Sequence, residues 1–83
     1  NVTVYYDKQG PATSNIDVSI YVLSDDYTES LDIAEMIIKA LDRKKAEYEG
    51  YDVIDAIVND VPESYISQTF VQQIRMKFII KEK

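Results

Sequence analysis

The sequence predicts an α+β domain. Its expected order is β-β-α-β-β, a four-stranded, mainly antiparallel sheet with one amphipathic helix packed on one face. Three observations predict it. Residues 16–23 (IDVSIYVL) alternate apolar and polar with the two-residue period of a half-buried strand. Directly after them Leu31, Ala34, Ile38 and Leu41, flanked by Ile33 and Ile37, recur at the 3.6-residue spacing of an amphipathic helix. A second alternating run then fills the C-terminal end. With 83 residues, the chain is expected to be a single domain, 1–83, with a small core that buries roughly 60% of the unfolded surface.

Each element has its own warrant. Residues 2–6 (VTVYY) are β-branched and aromatic and read as a strand. Residues 7–15 (DKQGPATSN) carry Gly10 and Pro11 and read as the loop of a hairpin. In the next strand Ile16, Val18, Ile20 and Val22 point one way and Asp17, Ser19, Tyr21 and Leu23 the other. The helix is expected over 27–48, closed by Gly50 as a left-handed cap. Glu35–Lys39, Arg43–Glu47 and Lys45–Glu49 would add a few tenths of a kcal/mol each at four-residue spacing. Residues 51–58 read as a strand with two competing apolar sets, Val53/Ile57 and Ile54/Ala56/Val58. Residues 59–64, with Pro62, read as a loop. In the last strand, 69–81, Phe70, Ile74, Met76, Phe78 and Ile80 share a side interrupted by Gln72, and Val71, Gln73, Arg75, Lys77, Ile79 and Lys81 share the other.

Composition removes whole classes of chemistry. There is no cysteine and no histidine, so disulfides, thiolate metal sites, histidine bases and histidine-based triads are excluded. The formal net charge of −6 argues against a nucleic-acid backbone as the principal ligand. Two basic groups nevertheless stand out: Lys39, Arg43, Lys44 and Lys45, and Arg75, Lys77, Lys81 and Lys83. No apolar run approaches the ~20 residues that span a bilayer, so no membrane partner is expected. The chain starts at Asn1 rather than Met, as a fragment or a processed product would.

The acidic run Asp25, Asp26, Glu29, Asp32 and Glu35 opens the helix. Asp26 with Glu29 three residues later fits a capping box, the acids lying at the positive end of the helix dipole and the basic group at its negative end. An Mg²⁺ or Ca²⁺ site at Asp25, Asp26 and Glu29 is the competing reading, but no glycine-punctuated calcium or phosphate loop accompanies it. Asp52 and Asp55 are expected on opposite strand faces, and no Gly-x-Ser-x-Gly or Ser-x-x-Lys motif occurs. No catalytic residue, metal or cofactor is therefore expected.

One helix covers one face of a sheet. The other face would show Thr3, Tyr5, Tyr21, Leu23, Val71, Arg75, Lys77 and Ile79. It is either a contact surface for another chain or a solvated face with scattered apolar residues. Tyr21 is the best contact candidate among the seven tyrosines. Stacking of single-stranded nucleic acid on the tyrosines beside Arg75 and Lys77 is a weaker option against the acidic background.

The whole pattern resembles the tail-completion and tail-terminator proteins of long-tailed bacteriophages and prophages. The resemblance lies in the aromatic opening strand VTVYY, the polar loop and the strand IDVSIYVLS. It continues through the helix pattern Tyr27-x3-Leu31-x2-Ala34-x3-Ile38-x2-Leu41, the glycine before 51–58, and the final strand with Phe78. It covers nearly the whole chain, though the family's usual N-terminal helix has no counterpart here. The resemblance implies a non-enzymatic minor tail protein of the virion, made in the bacterial host cytoplasm. It also implies a homo-oligomeric ring, often a hexamer, that ends tail-tube growth and meets the head connector. Tyr5, Tyr21, Arg75, Lys77 and Ile79 would then be subunit or partner contacts. A small monomeric module that binds a protein or peptide on the open sheet face is the alternative.

Overall fold

A computed structural model describes residues 2–9 and 15–82. Its elements are β1 (Val2–Gln9), β2 (Asn15–Ser24), α1 (Tyr27–Leu41), β3 (Ala46–Tyr48), β4 (Tyr51–Asp60), β5 (Glu63–Ile66) and β6 (Thr69–Glu82). The fold is α+β. All strand pairs are antiparallel, in the order β1-β2-β6-β4-β3, with β5 also on β6. β6 is the spine. One of its edges takes β2; the other takes β5 along residues 69–72 and β4 along residues 75–82. The 45 Å long axis matches a 14-residue strand at roughly 3.3 Å per residue. The sheet curls into a half-barrel.

Six strands replace the expected four, and the two additions have local causes. The helix was expected to reach residue 48 but ends at Leu41. At Asp42 the backbone turns extended, and Arg43 takes a left-handed φ of 60°. The chain is captured by the edge of β4: the Arg43 N–H donates to the Ala56 carbonyl, and the Val58 N–H donates to Asp42 Oδ1 at 3.1 Å. Residues 46–48 then pair with 51–53 as β3. Gly50, at φ 92°, closes the turn between Tyr48 and Tyr51 instead of capping the helix. Lys44, Lys45, Ala46 and Glu47 favour helix intrinsically, and sheet pairing overrides that preference. Arg43 and Lys45 therefore lose helical spacing to Glu47 and Glu49; Arg43 pairs with Asp55 at 3.1 Å.

Similarly, the loop expected over 59–64 shrinks to Val61 and Pro62 before β5 begins. Ser67 and Gln68, at φ 50° and 62°, make the two-residue β5–β6 turn. Two positive φ values are the mark of a type I′ hairpin turn, here without glycine. Of the loop expected over 7–15, residues 7–9 and 15 are strand, and residues 10–14 lie outside the described ones.

The core sits between α1 and the sheet. Val22, Ala56, Ile74 and Met76 are at most 1% exposed, joined by Ile20 and Ala34 and bordered by Ile33, Ile37, Ile38, Leu41, Val58 and Phe78. A register shift between Val53 and Asp55 resolves the two competing sets of β4, turning Ala56 and Val58 inward and leaving Ile54 exposed. The buried helix line centres on Ser30 and Ala34, and Leu31, expected inside, lies at its exposed border. Gln72 interrupts the apolar side of β6 because its amide Nε2 donates to Ser30 Oγ at 3.4 Å within the core. A buried amide without such an acceptor would be costly.

Candidate interaction surface

Strand alternation and register place Tyr5, Tyr21, Arg75, Lys77 and Ile79 on one face, the one turned away from α1. They do not form one cluster. At one end Tyr5 and Tyr21 are cross-strand partners whose rings stack at 4.7 Å between centroids and 15° between planes. Stacked aromatic pairs are worth about 0.5–1.5 kcal/mol beyond area burial. From the Tyr21–Gln73 pair to the Asn15–Ile79 pair the strands advance six residues, roughly 20 Å.

Gln73 lies between the two ends. Its amide donates to Ser19 Oγ and to the Tyr21 hydroxyl, each at 3.2 Å. Ser19 is buried although it faces away from the helix. Gln73 also donates its main-chain N–H to the Pro62 carbonyl at 3.0 Å, linking the face to the β4–β5 connection. The tyrosine pair is thus held from below by a polar strut.

The cations of this face, Arg75, Lys77 and Lys81, each have a carboxylate on a neighbouring strand. Arg75 pairs with Asp60 at 3.4 Å, both side chains being about half exposed. Lys77 stands opposite Asp17 on β2. A shallow concavity of about 440 Å³ beside the tyrosines is lined by Tyr5, Tyr21, Leu23, Ile66, Val71 and Gln73, with Ser and Thr at its rim. The surface therefore combines an aromatic and aliphatic end with one ion pair and cross-strand neighbours of opposite charge.

Sequence reasoning missed Gln73, Asp60 and Ile66 as members of this site. The alternation of β6 already put Gln73 on Tyr21's side, so its signal was present. Ile66 had none, because β5 reads as loop. Asp60 reaches Arg75 through a second register shift, between Val58 and Asp60, that periodicity does not reveal.

The acidic run is organised around the start of α1. Asp26 is the N-cap, and its Oδ1 accepts the Glu29 N–H at 3.1 Å. Glu29 does not close the box directly. Its Oε1 accepts from Ser24 Oγ at 2.8 Å, and Ser24 Oγ accepts the Asp26 N–H at 3.0 Å. A serine thus relays what a capping box does with one bond. Among the described residues no group of three carboxylates stands close enough to hold a metal ion. At the same helix end the Tyr27 hydroxyl donates to Glu63 Oε1 at 3.2 Å, and this bond, with burial and the Glu63 charge, raises its pKa. Tyr27 and Tyr65 both pack against Phe70, at 5.2 and 4.5 Å, tying β5 to the helix.

No helix is long and apolar enough to cross a membrane among the described residues. No protein-family model, curated protein or solved structure matches the chain.

Proposed function

We propose that this chain is a structural tail protein of a long-tailed bacteriophage or prophage, which completes or terminates the tail tube as a ring and joins it to the head connector. The observation that carries this reading is the asymmetry of the sheet. One face is closed by α1, while the other presents stacked tyrosines, an aliphatic concavity and the Arg75–Asp60 ion pair. The pattern resemblance along nearly the whole chain supports the tail tube and neighbouring copies as the partners of the open face. The protein acts without catalysis, in the virion tail after assembly in the bacterial host. The net charge of −6 suits a ring whose lumen passes DNA without binding it.

Co-sedimentation with purified tail tubes tests the reading. The chain is expected to pellet with tubes in a fixed ratio, and native mass spectrometry of the released material to give a closed ring. A chain that stays in the supernatant at every concentration, and is monomeric there, would contradict it. The concavity beside Ile66, which is 63% exposed, favours one second reading, a monomeric module that takes a peptide on the same face. In that case a peptide would bind the free monomer and tubes would not.

A further inference from the structure

The sheet ends on the eight-residue β1 at one side and, beyond β6, on β4 with the short strands β3 and β5 at the other, and the two sides are finished differently. The β4 edge is blunted: β3 pairs with residues 51–53, Asp42 and Arg43 occupy the Val58 amide and the Ala56 carbonyl, and the Asp55 carboxylate takes the Ala56 N–H at 2.9 Å. Two register shifts bend it further. These are the usual devices that stop a sheet from growing. β1 has none of them. Its eight residues pair with β2 without a register shift, and among the described residues no strand pairs with its other edge.

The helix packs on β2 and β6 and leaves the helix-side residues of β1 open. Val4 is 48% and Tyr6 74% exposed. Beside them runs a groove of about 440 Å³ whose lining includes Val4, Tyr6, Val18, Ile20, Ile37 and Phe78. An added strand meets such an edge with its main chain and fills the groove with alternate apolar side chains.

We propose that the occupant is β1 of a second copy, paired antiparallel about a two-fold axis at Tyr5, so that two sheets become one with both helices on the same side. β1 has the required pattern, with Val2, Val4 and Tyr6 on the helix side and Thr3, Tyr5 and Asp7 on the other. Centring on Tyr5 sets Val4 opposite the partner's Tyr6, an aromatic–β-branched pair of the favourable kind. It sets Asp7 opposite Thr3, so no two carboxylates face each other in this acidic chain, and it extends the Tyr21–Tyr5 stack into a four-tyrosine row. Val2, Val4, Tyr5 and Tyr6 together expose on the order of 400 Å² per copy, so the pair buries at most about 800 Å² and is a weak, transient contact rather than a stable interface of about 1,200 Å² or more. The pairing uses the edge rather than the open face and does not rest on the tail reading.

The chain has no cysteine, which makes crosslinking decisive. Mixed under oxidising conditions, the T3C and D7C variants are expected to form a disulfide-linked heterodimer several-fold faster than either alone. In sedimentation velocity the unmodified chain should dimerise reversibly with concentration, and Tyr6→Lys should stay monomeric with an unchanged unfolding midpoint. A monomer up to millimolar concentration, crosslinking of T3C alone as fast as the mixture, or a Tyr6→Lys variant that dimerises like the unmodified chain would each overturn the proposal. Tube binding by Tyr6→Lys reports separately on the open face.

Discussion

Along β6, Ile74 and Met76 are 0% and 1% exposed beneath the helix, while their chain neighbours Gln73 and Arg75 stand among tyrosines and carboxylates on the other side. The same strand thus bears two surfaces that answer to different physics. On the helix side the governing quantity is volume, because side chains there are packed to near-crystal density and a lost methylene leaves a void. On the open side the governing quantity is recognition: the tyrosine stack, the Gln73 strut and the Arg75–Asp60 pair fix a shape at the surface without sealing it. Stability and association should therefore separate along one strand.

The largest test of that separation is Ile74→Ala. It should cost about 2–5 kcal/mol, a large share of the stability of so small a domain, seen as a fall in the urea midpoint by circular dichroism. Ser30→Ala comes next. It leaves the Gln72 amide buried without its acceptor and should cost about 1–3 kcal/mol, whereas adding Gln72→Leu to it should recover most of the loss. Asp26→Ala removes the N-cap acceptor and should cost about 1 kcal/mol.

On the open side, Arg75→Ala removes an exposed ion pair and should change stability by less than about 1 kcal/mol, yet weaken tube association. An equal loss of both would merge the two surfaces. The smallest effect is at Tyr27. Its raised pKa means the folded state holds the phenolic proton more tightly than the unfolded chain does. That contribution is present below the ordinary tyrosine value of about 10 and is lost as pH rises through the folded value. Tyr27→Phe should lower stability slightly at neutral pH, where the hydrogen bond to Glu63 is present, and flatten the alkaline limb of the stability profile.

What was legible in the sequence follows the same division. The helix side was readable because burial imposes periodicity, and Val22, Ala34, Ile74 and Met76 fall where alternation and helical spacing put them. The open-face membership of Tyr5, Tyr21, Arg75, Lys77 and Ile79 was readable too, since parity fixes a strand's faces once one is buried. The edges were not. β3 is written in residues that favour helix, and only the capture of Asp42 and Arg43 by β4 turns them into sheet. β5 depends on a glycine-free turn at Ser67 and Gln68 that carries no strong turn signal. The Ser24 relay from Glu29 to Asp26 likewise needs a residue two positions before the expected box.

Hydroxyl-radical footprinting of the chain free and bound to tail tubes tests the central claim, that the face away from α1 is the contact surface. Tyr21, Leu23 and Ile79 should lose reactivity on binding, while Leu31 and Tyr65, on the helix side, keep theirs. Protection of Leu31 and Tyr65 with Tyr21, Leu23 and Ile79 unchanged would contradict it.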